Sequence, residues 1–489
     1  MLGRQTTCIR YESYPKFQMS ANLQPRCSLQ ETIGAGQFYA LDEPILLNQI
    51  KDAFEPEFER LKAAKAVEGT EQQRAAANGQ VDDPSPSQIL YGCNYDEVNR
   101  TLVGILALRW IHNRDYERFT RPQPPETRLS EESFDWLYQL FTTGIRDLDD
   151  LFALVLSMVI NDLGKDPNLE EDYYFQTHHR LRDQNHDSLL LEAAKAGMIP
   201  ALDYLDPDKR EEIMLGLELG SELNAGQLAQ AESVPVNLEG LLSMRGKEHA
   251  FDLKFMEQIL DVAGALGHLD WSGSKNFIEP VFQAFKTVRE VSLDIIAGNS
   301  NPRQGYDKVL TKRGNMLSIK GFRRLSVSDR EERALLRLLT MGRTADKEQA
   351  ELFQKAFHAL DDQNREQLVT GLNVDGNVET AVLPYYMPAI ISTTLETTKD
   401  SDEDTKCRAL ASLMRYLAKV LGSAANDLTE YPEGTLFDGE VPSIIIERNM
   451  SKAQEVINSP AFKTNPDLLD GLPIPEAQIL QRRRTSQSW

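Results

Sequence analysis

Leu151–Ile160 (LFALVLSMVI) is apolar on every side except for Ser157, and the chain then breaks into Asn161-Asp162-Leu163-Gly164-Lys165-Asp166. A helix with no polar face must be buried, so this stretch predicts the middle of a helical core. It also delivers carboxylates at its end, where they would stand at the rim of a pocket. If the helix runs on through Gly164, Asp162 and Asp166 share one face. Two like charges held that close are costly unless a cation lies between them. Further along, Asp183-Gln184-Asn185-His186-Asp187 brings a second pair of ligand-type side chains.

Working outward, the helical period recurs. Leu46–Ala66 is amphipathic with an interruption at Pro56, and Tyr95–Asn113 restarts a strong pattern. Ser130 stands as N-cap before an apolar face from Ser133 to Thr142. Leu189–Ile199, a helix opening at Asp206-Pro207-Asp208, Phe251–Leu266, Phe277–Ile296, Arg330–Leu360 and Cys407–Leu421 continue the series. Val378–Thr394 is apolar and aromatic, broken by Pro384 and Pro388. No stretch alternates with a period of two, and no repeat is visible. The expected fold is all-α, a helical array rather than a regular bundle. The expected divisions are a loosely ordered N-terminal extension with a linker at Val67–Ser87 (1–95), a helical core (96–300), a C-terminal helical region (301–430) and a proline-punctuated tail (431–489).

The 489 residues carry 53 basic and 75 acidic side chains, a net charge of -22 that repels phosphate backbones and argues against a nucleic-acid partner. Cys8, Cys27, Cys93 and Cys407 are scattered without metal-ligand spacing, as expected in a reducing compartment. The first residues, MLGRQTTCIRYESYPKF, hold no apolar run of a secretory signal, and no run approaches the about eighteen residues of a membrane span. These features predict a cytoplasmic protein. They do not fix its oligomeric state.

Five of the seven histidines fall between residues 178 and 270, and His186 and His268 sit beside aspartates. The candidate metal ligands are Asp162, Asp166, His186, Asp187, His268 and Asp270. Their hard oxygens suit Mg²⁺ or Mn²⁺, and the imidazoles add iron or zinc. The competing reading is that they cap helices and form surface ion pairs. Tyr306–Arg343 is the one basic segment, with Lys308, Lys312, Arg313, Lys320, Arg323, Arg324, Arg330, Arg333, Arg337 and Arg343. It would face an anion, or else form a solvated helix face. Trp271, Phe277, Phe282, Tyr385 and Tyr386 could line an apolar pocket or simply pack.

Asn161-Asp162-Leu163-Gly164-Lys165, after an apolar helix, resembles the His-Asp-hydrophobic-Gly-Lys motif of HD-domain metalloenzymes, whose helical core carries an H…HD…D ligand series. The resemblance spans roughly 96–300. It implies an HD-like array with additional C-terminal helices, His112 as the preceding histidine and Asp270 as the last aspartate. Asn161 departs from the motif. An amide oxygen replaces imidazole poorly on a transition metal, which leaves an oxygen-rich magnesium site or a scaffold without metal.

The NDLGKD segment, DQNHD followed by LLLEAAKAGMIP, and GHLDWSGSKNFIEPVFQAF also resemble the fungal α-ionylideneethane synthases, sesquiterpene cyclases of abscisic-acid biosynthesis. That resemblance implies a Mg²⁺-dependent terpene cyclase of secondary metabolism acting on farnesyl diphosphate. For such chemistry the candidate catalytic residues are Asp162, Asp187 and His186. Lys165, Arg313, Arg323, Arg324, Tyr385 and Trp271 are the candidates for holding the prenyl diphosphate. The alternatives are an HD-type phosphohydrolase, in which His186 would assist proton transfer, and a non-catalytic helical scaffold.

Overall fold

The computed structural model describes residues 27–64, 83–181, 185–377, 379–423 and 443–482. Most of the expected linker lies outside these residues, as do Asp183 and Gln184 of the DQNHD segment. The class is all-α. Among the described residues, helices account for most of the chain between Ser28 and Leu421, and a small sheet of three strands stands beside them.

Local chemistry places the helix ends. Pro56 starts a new helix, Glu55–Ala63, directly behind Glu43–Ala53, because a proline is tolerated in a first turn. The Ser130 side chain accepts from the Ser133 amide and opens Glu131–Gly144. Asp206 accepts from the Asp208 and Lys209 amides and opens Pro207–Glu222. Arg330–Leu360, expected as one stretch, divides into Arg330–Met341 and Lys347–His358, the second capped by Asp346.

The expectation of no strands is corrected. β1 (Ala381–Tyr385) pairs parallel with β2 (Ser443–Asn449), and β2 pairs antiparallel with β3 (Ala477–Arg482). β1 is buried along most of its length and therefore reads as a continuous apolar run rather than an alternation. Pro384 is tolerated because β1 is an edge strand. The segment expected to trail thus supplies the central strand.

Two hydrophobic cores result. The first runs from Leu29 to Leu336, and Leu29, Ile33, Leu46, Phe54 and Phe58 of the region set apart as an extension are buried in it. The second runs from Leu317 to Leu469. Val234, Val236, Ala381, Leu383 and Ile445 form a third, smaller cluster that joins the Pro235–Met244 segment to the sheet.

Three helices of the first core position the site: Asp96–His112, Leu148–Ile160 and Glu248–Gly264. The first and third nearly touch at Gly104 and Gly264. A Cβ on Gly264 would lie 2.2 Å from the Arg100 carbonyl oxygen and 2.7 Å from the Gly104 nitrogen, so no larger residue fits without separating the helices. Gly164 is as constrained, since its Cβ would lie 1.9 Å from the His186 carbonyl oxygen. That contact seats the start of the His186–Lys195 helix on the turn after Ile160.

Candidate functional site

The α-helix stops at Ile160, and Leu163–Lys165 forms a single 3-10 turn. Asp162 and Asp166 therefore do not share a helix face, and the expectation that they bracket one cation is corrected. Asp166 turns to Arg60, whose Nη1 lies 2.7 Å from Oδ2, and its other oxygen accepts from the Asn168 amide at 3.0 Å. Asp162 turns inward instead.

Around Asp162 lies a charged cluster built from all three helices. Lys165 Nζ is 2.7 Å from Asp162 Oδ1 and 3.3 Å from Glu97 Oε2. Arg100 Nη1 is 2.6 Å from Glu97 Oε1. Glu97 and Asp162 lie close enough to share a hydrogen bond once one of the two carboxyls carries a proton. On the Glu248–Gly264 helix, Lys254 donates to Glu257 Oε2 at 2.7 Å and reaches the Asn161 amide oxygen at 3.5 Å. Ser157 donates to the same Glu257 oxygen at 3.1 Å, while Glu257 Oε1 is buried without a partner among the described residues. Asp261 completes the group, close enough to Asp162, Arg100, Lys165 and Lys254 for their charges to act on it.

The electrostatics follow from burial and from an excess of acid. Burial and the neighbouring Asp162 charge push the Glu97 carboxyl up to about 7. Burial does the same to Glu257, up to about 7, despite Lys254. Asp261 is raised by burial and by Asp162. Asp162 goes the other way. Burial would raise it, but Lys165 and Arg100 hold it below the usual carboxylate range. The cluster thus pairs a carboxylate fixed in its charged form with a carboxyl that keeps its proton near neutrality, the arrangement that separates a base from an acid.

The cluster continues toward the sheet. Asp187 acts on Lys254, and both His186 and Asp187 act on Glu447 of β2. Glu447 is buried, and its carboxyl is pushed up to about 7 by burial and by Asp187. Tyr385, at the end of β1, has its hydroxyl raised by burial, by Tyr386 and by Glu447 and Glu232. Tyr386 adopts a left-handed backbone, φ 71°, and its amide donates to Glu232 at 2.6 Å. The structure thus brings Asp162, Lys165, His186, Asp187 and Tyr385 into one polar region.

Other expected residues stand elsewhere. Asp270 accepts from the Ser272 amide and hydroxyl at 3.1 and 2.6 Å and closes a turn. Gly267 packs on Val103 and Gly273 on the Arg118 carbonyl, so His268 and Asp270 climb away from Glu97 along the Asp96–His112 helix. Trp271 donates to the Asp83 carbonyl at 3.0 Å. The Phe277 and Phe282 side chains fill the first core. His112 stacks on Tyr39 with ring centroids 3.4 Å apart, at the opposite end of its helix from Glu97. The six expected metal ligands therefore do not converge. Neither His112 nor Asp270 takes the place that the HD resemblance implies for it.

The basic segment is corrected as well. Arg313 is half-buried and donates to the Thr344 carbonyl at 3.0 Å, and desolvation together with Arg343 brings its guanidinium down to about 10. Arg323 is engaged by Glu332 and by Gln354 at 2.8 Å, and Arg324 is exposed to solvent. Arg333 and Arg337 are fully buried structural residues. None of the five lies beside Asp162.

Glu97, Arg100, Lys254, Glu257 and Asp261 escaped the reading of motifs. A signal for them exists. Lys254, Glu257 and Asp261 recur at helical spacing on one helix, as Glu97 and Arg100 do on another, and charges carried into a core on such a face must find one another.

A second polar group gathers Asp150, Lys209, Glu212 and His249 at the other end of the Leu148–Ile160 helix. Burial would raise Asp150, but hydrogen bonds from Lys209 and His249 bring it below the usual range. Among the described residues, the ligand atoms of Asp150, Glu212 and His249 are the one set of three lying within 4.8 Å of one another.

Fold and site together define an all-α protein with a buried acid–base cluster at the meeting of three helices. The chain belongs to a family of unknown function (DUF6829), which it matches over residues 47–469. No curated protein and no solved structure matches it. No helix among the described residues is long and apolar enough to cross a membrane.

Proposed function

We propose that the chain is an enzyme whose chemistry runs at the Asp162 cluster, and that it ionises and cyclises a prenyl diphosphate, farnesyl diphosphate being the expected substrate. The observation that carries the reading is the excess of acid over base in a buried place. Glu97, Asp162, Glu257 and Asp261, with Asp187 at the edge, outnumber Arg100, Lys165 and Lys254, and burial pushes the Glu97 and Glu257 carboxyls up to about 7. Burying such a group costs stability, and clusters of this kind concentrate at sites of proton transfer. The substrate class rests on the sequence resemblance to the α-ionylideneethane synthases.

Mg²⁺ fits this site only in part. The oxygens of Asp162, Asp187, Asp261 and Asn161 are the hard donors it prefers, yet they are not drawn together as one ligand set, and Lys165 and Lys254 already engage Asp162 and Asn161. Bound with the diphosphate, Mg²⁺ would neutralise the leaving group. The chain's own part is different. Arg100, Lys165 and Lys254 supply positive charge for the diphosphate as the C1–O bond breaks and the electron pair leaves with it. The allylic cation closes on a distal double bond. A carboxylate of the cluster takes the proton whose loss yields the hydrocarbon, so that one diphosphate ester becomes one C15 hydrocarbon and one diphosphate.

A second reading, phosphate-ester hydrolysis, is favoured by one placement. Glu97, Asn161-Asp162 and Asp261 stand on three separate elements, in the chain order of the H…HD…D series, with the imidazoles replaced. Purified protein incubated with farnesyl diphosphate and Mg²⁺, with and without EDTA, separates the readings. The expected result is a metal-dependent hydrocarbon with diphosphate release. Orthophosphate or a prenyl alcohol without hydrocarbon would establish hydrolysis. No turnover would remove both and leave a helical scaffold.

A further inference from the structure

The second polar group has a geometry of its own. Asp150 opens the Leu148–Ile160 helix, Glu212 lies in Pro207–Glu222, and His249 begins Glu248–Gly264. His249 Nε2 is 2.9 Å from Asp150 Oδ1 and 3.9 Å from Glu212 Oε2. Donors at the usual 2.0–2.1 Å from a tetrahedral ion are about 3.3 Å from one another, so these spacings straddle the edge of a coordination tetrahedron. The imidazole is only 8% exposed and aims Nε2 into the group, and Nδ1 is buried without a partner among the described residues. Two carboxylates and one imidazole form the donor set of a borderline cation with an open fourth position.

A cation already stands there. Lys209 Nζ contacts Asp150 and lies 3.0 Å from Glu212 Oε2. Its side chain keeps 16% of its surface exposed and Glu212 keeps 26%, so the group opens to solvent on the side from which lysine enters. A flexible four-carbon stem can swing out with its charge intact, whereas Asp150 and His249 are fixed by packing.

We propose that Asp150, Glu212 and His249 form a binding site for a divalent cation of the Zn²⁺ or Co²⁺ class, and that Lys209 is its resident, displaceable competitor. The site is separate from the Asp162 cluster and does not depend on the proposed reaction. The unpartnered Nδ1 lacks the acceptor that normally orients a ligating imidazole, and affinity should be about 10–100-fold below that of a site with one.

Titration of the full-length chain with Co²⁺, followed by visible absorption and by Zn²⁺ competition, tests this directly. The wild type should take up one equivalent with the spectrum of a tetrahedral ion. Lys209→Met should bind at least tenfold more tightly, and His249→Ala should lose that equivalent while its far-ultraviolet circular dichroism stays unchanged. If His249→Ala does not fold, the Lys209→Met comparison alone decides. Absence of uptake by the wild type, uptake indifferent to His249, or equal affinity in Lys209→Met would each overturn the proposal.

Discussion

Asp162→Asn is expected to lower turnover by about three orders of magnitude, within the range for loss of a positioned acid–base group. The carboxylate holds Lys165 at 2.7 Å and its charge raises the neighbouring Glu97, so the substitution removes both the fixed negative charge and the group that keeps its neighbour protonated. Breaking a buried ion pair by deleting one partner ordinarily costs about 3–5 kcal/mol. Here the loss should be smaller. Without the Asp162 charge beside it, Glu97 ionises at neutral pH and pairs with Lys165 and Arg100, which it already touches. Steady-state hydrocarbon formation and a thermal melt on the same sample check both halves. Turnover within tenfold of wild type would remove Asp162 from the chemistry.

Arg337→Ala is expected to be the more damaging change for the fold, at about 3–5 kcal/mol. Arg337 is 0% exposed and donates to the carbonyls of Ala231, Ser233 and Leu372 at 3.1, 3.0 and 3.0 Å, with a longer contact of 3.4 Å to Glu232. Those carbonyls belong to the turn that leads to the Pro235–Met244 segment and to the end of the Asp362–Asn373 helix. One guanidinium therefore ties the first core to the second. Alanine would strand several buried acceptors and leave a void. Lysine should not rescue it, because a point charge cannot span what a planar fork of five donors spans. Denaturant unfolding of the wild type, Arg337→Ala and Arg337→Lys measures the effect. A midpoint unchanged in Arg337→Ala would refute the structural role.

The residue-level reading went furthest where local chemistry decides. The Pro56 break, the Ser130 cap and the Asp206-Pro207 start are set within one turn of chain. Leu151–Ile160 announces its burial through composition alone. The stretch after it supplies Asp162 and Lys165 of the cluster, but nothing local tells whether a helix continues through Gly164, and it stops at Ile160. Arg333 and Arg337 show a different limit. In sequence they look like a solvated stripe or an anion clamp, since their partners are a carboxylate and backbone carbonyls from distant segments. Glu97 and Asp261 are separated from Asp162 by long stretches of chain, and only packing brings them to it. β2 was missed because its parallel partner β1 is distant in sequence, and register between distant strands leaves no local trace.

The proposed chemistry requires the Asp162 cluster to hold a proton near neutral pH, and infrared spectroscopy of protonated carboxyls between pH 5 and 9 reads that proton. Glu97 and Glu257 each have a folded value of about 7, raised above the ordinary carboxylate range by burial. Their protonated bands should therefore persist at pH 5 and disappear as pH rises through 7. Glu447, also at about 7, and Glu232, at about 8, add to the same loss. Glu97→Gln should remove one carboxyl from that transition while the rest remains. A wild type whose carboxyl bands are all gone by pH 5, or a transition that Glu97→Gln leaves at full amplitude, would contradict the account.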